Sequence, residues 1–249
     1  MIKEQRFDII ISELKKKEHV TFAKLASKLK ISEDTIRRDI DYLERNGLLA
    51  KVRGGATIRS KNPLTFQDRN NFLKKEKDVI GMKALRFIKE GFTMFMDGGT
   101  TNCSVASCIP VNISLRIITN NQVLIPILTE FKNIELITLG GTYDKATETS
   151  TGIVTCNQIR NYVADLYLMG TCAVDAKIGV TATYNNDAEI KKAMLYSSHR
   201  TVSLVNNTAL KGQASFKVCD ITSLDAIITD LPSDSNELDE FRFLNVQLV

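Results

Sequence analysis

The sequence has only two histidines, His19 and His199, and five cysteines: Cys103, Cys108, Cys156, Cys172 and Cys219. The cysteines are odd in number, scattered and never spaced CxxC, so neither a disulfide framework nor a metal site is expected. Buried free thiols are the plain reading. No apolar run approaches the roughly 18 residues that a membrane span needs, which leaves no membrane partner to expect. The opening MIKEQRFDII interleaves charge with apolar side chains and lacks the continuous apolar stretch of a signal peptide, so a cytoplasmic location is expected. Walker and GxGxxG loops are also missing, so no nucleotide or other cofactor is indicated.

What is present is an uneven distribution of charge. Residues 1–62 hold 15 Lys/Arg against 9 Asp/Glu and the rest hold 18 against 20, beneath a net charge of only +4. A basic head on a near-neutral body points to a polyanion as the partner of the head alone. At 249 residues, 43% hydrophobic and 25% charged, the chain has room for a small domain and a medium one.

In the head, residues 3–16 read as a helix with Phe7, Ile10, Ile11 and Leu14 on one side and Lys15, Lys16 and Lys17 at its carboxyl end. A second helix spans about Phe22 to Leu29, with Thr21 as its cap. Lys30-Ile31-Ser32 then leads into SEDTIRRDIDYLE, where Ile36, Ile40 and Leu43 recur at i, i+4 and i+7. Ser32 suits the cap of this helix, Asn46-Gly47 suits its end, and Thr35, Arg37, Arg38 and Asp41 lie off the apolar stripe. Taken alone, such a helix is more readily a solvated surface helix. Two helices joined by a short turn, with the arginines on the second, form a helix-turn-helix suited to a DNA major groove. The stretch from Leu48 to Arg59 alternates apolar and basic residues around Gly54-Gly55 and reads as a β-hairpin wing, with Lys51, Arg53 and Arg59 toward phosphates or a minor groove. The DNA-facing candidates are Thr21, Ser32, Thr35, Arg37, Arg38, Lys51, Arg53 and Gly54.

Residues 60–78 are polar and contain Pro63, so they read as a linker between a head at 1–59 and a second domain at 79–249. Beyond it, a helix through Ile80, Ala84, Leu85 and Ile88 ends at Gly91. Short apolar strands follow at 92–96, 116–119, 135–139, 166–169, 201–205, 226–229 and 246–249, with helical segments between them, including 122–130 and 187–198. This alternation predicts an α/β fold with a mostly parallel sheet covered on both faces. Ligands of such sheets sit at the carboxyl ends of the strands. There the first strand runs into Asp97-Gly98-Gly99-Thr100-Thr101 and a helix, a phosphate cradle in form. The following strands end in Thr119-Asn120-Asn121, Leu139-Gly140-Gly141-Thr142 and Gly170-Thr171. Each turn alone is equally well explained by tight turning, but together they make a pocket. On the helical segment from Asp187 to Met194, Glu189 and Lys191 are candidates to point at that pocket, a solvated charge pattern being the alternative.

The run TIRRDIDYLERNGLLAKVRGGA, Thr35 to Ala56, resembles the signature of the DeoR family of bacterial transcriptional regulators, with Arg53 where the family often carries histidine. DGGTT, TNN, the LGG turn, the Gly170 to Thr181 segment with Asp175 and Gly179, and AEIKKAM resemble the family's C-terminal sensor domain. The resemblance implies a winged helix-turn-helix α+β head joined to a larger, ribose-5-phosphate-isomerase-like α/β domain. It also implies a repressor of a double-stranded DNA operator that is released by a phosphorylated sugar effector, acts as a homo-oligomer (dimer or tetramer), and is not an enzyme. The implicated effector residues are Asp97, Gly98, Gly99, Thr100, Thr101, Asn120, Gly140, Gly170, Glu189 and Lys191. One departure is Asn206, which stands where the family tends to carry aspartate, with the following lysine missing or displaced to Lys211. Two rivals remain. One is a sugar-phosphate isomerase fused to a DNA-binding head, with Asp97, Asp175 and Glu189 as its carboxylates. The other is a DNA binder whose second domain only oligomerises.

Overall fold

The computed structural model describes residues 3–17, 19–45, 49–57 and 66–249. The expected stop at Asn46-Gly47, the outer ends of the wing at Leu48, Ile58 and Arg59, and the linker residues 60–65 with Pro63 lie outside them, as does the Lys15 side chain. Two compact units make up the chain, residues 1–73 and 74–249.

The first unit contains α1 (Lys3–Lys17), β1 (His19–Thr21), α2 (Phe22–Leu29), α3 (Glu33–Arg45), β2 (Ala50–Val52), β3 (Gly55–Thr57) and α4 (Phe66–Asn71). Thr21 caps α2 by accepting from the Lys24 N–H at 3.3 Å, and Ser32 caps α3 by accepting from the Thr35 N–H at 3.2 Å. Ile10, Leu25, Ile36, Ile40 and Leu43 share one core, so the i, i+4, i+7 stripe of α3 is its buried face. The wing is a three-stranded antiparallel sheet ordered β1-β3-β2. Its strand β1 was not foreseen, because three residues carry too little periodicity to read. Gly55 makes this pairing possible, since a Cβ there would stand 2.1 Å from the Val20 carbonyl oxygen.

The second unit begins with α5 (Lys74–Ala84), β4 (Thr93–Met96), α6 (Thr100–Cys108), β5 (Leu115–Thr119), α7 (Leu124–Leu128) and β6 (Ile134–Thr138). The hairpin β7 (Thr142–Asp144) and β8 (Thr149–Thr151), α8 (Ile153–Ile159), β9 (Leu166–Gly170), β10 (Ala173–Asp175) and β11 (Gly179–Ala182) come next. The unit closes with α9 (Asn185–Tyr196), β12 (Thr201–Val205), β13 (Phe216–Cys219), β14 (Ala226–Thr229), α10 (Asp239–Arg242) and β15 (Gln247–Leu248). Seven strands form one sheet in the order β15-β14-β12-β9-β4-β5-β6, every pairing parallel. The apolar strands read from the sequence are these seven, and β9 and β12 are buried along their whole length, as strands covered on both faces must be.

Part of the stretch expected as linker is helical instead. α4 covers Phe66–Asn71, and α5 starts at Lys74 and buries Lys77, Ile80, Gly81 and Ala84. The polar residues on its other face hid that stripe. The β7–β8 hairpin and a small antiparallel sheet ordered β10-β11-β13 were also not anticipated, being made of strands of three or four residues.

Candidate functional site

The strand order reverses at the centre of the large sheet. From β4 the chain builds outward through β5 and β6, then returns to β9 on the other side of β4 and continues through β12, β14 and β15. The crevice at the carboxyl ends of β4 and β9 is therefore the topological switch point. Asp97 follows β4 at this place and is fully buried. Its Oδ1 accepts from the Gly170 N–H at 2.8 Å and the Asn102 amide at 2.9 Å. Its Oδ2 accepts from the Tyr167 hydroxyl at 2.5 Å and the Lys191 ammonium at 2.6 Å. Four donors and no acceptor suit the carboxylate form. Burial pushes the Asp97 carboxyl above its ordinary range, and the charge of Lys191 draws it back. Burial pushes Lys191 down, but the charges of Asp187, at 3.2 Å, and of Asp97 outweigh it and hold the ammonium above its usual pKa. Burial and the Asp97 charge raise Tyr167 far above the phenol range.

Gly98 and Gly99 lead from Asp97 into the amino end of α6, where Thr100 and Thr101 are buried. Asn121 ties the turn to β5, its amide donating to the carbonyls of Asp97 and Gly99 at 3.3 Å each. The β7–β8 hairpin is strapped across the same end of the sheet. Ser150 N–H donates to Asn120 O at 2.8 Å, the Asn120 amide donates to Ser150 O at 2.9 Å, and Gln122 N–H donates to Glu148 O at 3.1 Å. A Cβ on Gly98 would meet the Thr149 methyl at 2.6 Å. With Nδ2 committed to the strap, Asn120 Oδ1 is buried and has no partner among the described residues, and neither has Asn102 Oδ1.

In the head, α3 presents Glu33, Asp34, Arg37 and Arg38 as exposed side chains. Arg37 lies 3.5 Å from Glu33 and over the Phe22 ring at 5.0 Å. Lys51 is held to the same helix, its ammonium 2.5 Å from Asp41 and its N–H donating to Glu44 at 2.8 Å. Arg53 is exposed at the wing turn beside Gly54. Arg6 of α1 grips the buried Asp39 of α3 with two bonds, at 2.7 and 3.0 Å.

Comparison with known proteins agrees with both halves. A DeoR-like helix-turn-helix domain matches residues 6–62, and a DeoR C terminal sensor domain matches residues 73–231. The chain belongs to the DeoR family. It is 31% identical to the lactose phosphotransferase system repressor of Lactococcus lactis, over 97% of this chain and 96% of that one. It is 26% identical to the glycerol-3-phosphate regulon repressor of Escherichia coli, over 100% of this chain and 99% of that one. In fold it is similar to ribose 5-phosphate isomerase A of Neisseria gonorrhoeae, at 12% identity and a TM-score of 0.40, over 53% of this chain and 52% of that one. Like these repressors it is a DNA-binding transcriptional regulator. Among the described residues, no helix is long and apolar enough to cross a membrane.

For this DeoR chain, the structure gathers Asp97, Gly98, Gly99, Thr100, Thr101, Asn120, Gly170 and Lys191 at the switch point. Gly170 belongs there because a Cβ would stand 2.7 Å from the Gly98 carbonyl oxygen and 3.0 Å from Asp97 Oδ1. Two expected members fall elsewhere. Glu189 is exposed and pairs with Lys192 at 2.9 Å, because a helix turns residues 189 and 191 to opposite sides. Asp187, four residues before Lys191, takes the place expected for Glu189. Gly140 lies two residues past the end of β6, the strand beyond β5, and seats α8: its N–H donates to Gln158 and its carbonyl accepts from Thr155. Lys51, expected on the phosphate side, is engaged by Asp41. The displaced Lys211 pairs with Glu237 on the surface, at 3.0 Å. Asn206 turns inward on its own loop, accepting from the Thr208 N–H and hydroxyl. Sequence reasoning missed Tyr167 and Asn102, and it named Asn121 only as part of a strand end. A tyrosine inside an apolar strand was the one available signal, since a buried phenol needs a partner.

Proposed function

We propose that this regulator is a repressor whose second unit binds a phosphorylated sugar or sugar-derived metabolite at the switch point and that it releases its operator on binding. The observation that carries this reading is the orphaned, buried Asn120 Oδ1 at the carboxyl end of β5, the strand paired with β4, whose own end runs through Gly98 and Gly99 into α6. Helix N–H groups suit a phosphate, and the buried amide oxygen suits a ligand hydroxyl. The relatives named for a glycerol-3-phosphate regulon and a lactose phosphotransferase system support an effector of that chemistry. The head holds double-stranded DNA through α3 and the wing, with Thr21, Ser32, Thr35 and Gly54 setting the backbone that positions Arg37 and presents Arg38 and Arg53. A homo-oligomer, dimer or tetramer, pairs two heads on half-sites about 34 Å apart. Residues 1–59 then serve as the DNA-binding part, and the sensing part lies beyond residue 78.

The isomerase reading asks for a carboxylate free to take a proton from carbon. Asp97 is engaged by four donors, Glu189 pairs with Lys192 on the surface, and Asp175 accepts from two backbone N–H groups, which favours the regulator reading over this one. The test is thermal melting of the full chain against a panel of phosphorylated and free sugars. A rise with one phosphorylated compound, lost in Asn120→Ala, followed by operator release with that compound, is expected. A flat panel would leave the second unit as an oligomerisation domain.

A further inference from the structure

The two neighbouring arginines of α3 are held differently, and the difference assigns them different work. At 3.6 residues per turn, Arg38 stands about 160° from Ile40 and about 200° from Ile36, opposite the buried stripe, whereas Arg37 stands only about 100° from Ile36. Arg37 leans to the flank of the helix, between Glu33 and the face of the Phe22 ring at the start of α2. That position couples the two helices of the helix-turn-helix and partly spends the Arg37 charge. Among the described residues, none bonds the exposed Arg38 guanidinium. Asp34, one turn earlier on the same outward ridge, is exposed as well. A carboxylate on that ridge would be repelled by phosphates but is compatible with a groove floor, where cytosine offers an amino group. The ridge of Asp34 and Arg38 therefore suits base edges better than the DNA backbone.

We propose that Arg38 is the specificity-determining residue of the head, reading a guanine through its O6 and N7, and that Arg37 is a positioning residue that fixes α3 against α2. This rests on the reading of α3 as the helix that enters the major groove. A guanidinium with no partner among the described residues delivers its two parallel N–H donors without first breaking an ion pair to any of them. Arg37 would have to leave Glu33 and the Phe22 ring to do the same.

The experiment is selection of binding sites from a random duplex pool by the full-length protein, its Arg38→Ala and Arg38→Gln variants, and its Arg37→Ala variant. Each protein is then titrated against the selected duplex and a random duplex at several salt concentrations. The wild-type pool is expected to be enriched in a motif with a guanine in each half-site. Arg38→Ala should lose that guanine and cut the specific-to-random affinity ratio by about tenfold or more, and Arg38→Gln should move the preference toward adenine. Arg37→Ala should keep the guanine and weaken both duplexes alike. Retention of the guanine by both Arg38 variants, or its loss in Arg37→Ala alone, overturns the proposal. A wild-type pool with no motif would overturn the reading of α3 itself, a result distinct from either variant outcome.

Discussion

Lys191 sets its ammonium 2.6 Å from Asp97 Oδ2, and neither side chain reaches solvent. Removing one partner of a buried pair leaves the other charge without its counter-ion. Lys191→Met is therefore expected to lower stability by about 3–5 kcal/mol. The double variant Asp97→Asn/Lys191→Met should cost less than the two single changes added together, because it removes both charges. Urea denaturation of the four proteins measures this. A Lys191→Met protein within about 0.5 kcal/mol of wild type would show that the pair is solvated after all.

In the head, the corresponding pair is Arg6 with Asp39, whose side chains are 16% and 4% exposed. This geometry gives the aspartate of the RRD triplet an inward task, holding α1 against α3. Asp39→Ala should destabilise the head by about 1.5–3 kcal/mol, and Arg6→Lys should recover only part of the loss in an Arg6→Ala protein, since an ammonium cannot repeat the two-point grip. The melting of the head, followed by amide exchange in α1 and α3, gives the answer. Exchange unchanged in both helices would remove the pair from any positioning role.

Much of this molecule was legible in the sequence, and what was not has two causes, the phase of a helix and strands too short to show a period. The stripe of Ile36, Ile40 and Leu43 and the seven apolar strands are strong periodic signals. The glycines and threonines after β4, and Gly170 at the end of β9, are visible because backbone must pass closely there. Periodicity cannot say which polar side chain turns inward when several sit on one helix. Glu189, Lys191 and Asp187 all fit the segment by residue type, and only the phase of α9 against the sheet puts Lys191 and Asp187 inside. The β7–β8 strap escaped because its strands are three residues long, and its position over Gly98 depends on pairings with Asn120 and Gln122 far away in sequence.

Asp175 offers a pH test. Its Oδ1 accepts from the N–H groups of Ile178, at 3.0 Å, and Lys177, at 2.9 Å, and these bonds hold the carboxyl below its ordinary range. A folded-state pKa below the unfolded value of about 3.9 adds stability that is fully present above roughly pH 4. The contribution is lost as pH falls through the folded value. The stability difference between wild type and Asp175→Asn should therefore shrink below about pH 4 and stay constant from there to neutrality. Urea midpoints measured across this range test it, and a difference that persists at acid pH contradicts the capping role.

The thiols report on the opening of the site itself. Cys172 is exposed, whereas burial pushes both Cys103, in the first turns of α6, and Cys219, in β13, up to about 11. Only a thiolate alkylates readily, so at mildly alkaline pH Cys172 should be modified first while Cys103 and Cys219 wait for local opening. Cys103 thus serves as a clock for the helix whose amino end is the proposed phosphate cradle. A bound phosphorylated effector should slow Cys103 alkylation more than that of Cys219, which belongs to the separate β10-β11-β13 sheet. Mass spectrometry of tryptic peptides after timed alkylation reads all three rates from one sample. Equal protection of Cys103 and Cys219 would mean that the ligand stabilises the whole unit without seating on α6. Cys103 reacting as fast as Cys172 without ligand would mean that the turn from Asp97 to Thr101 is open in the free protein.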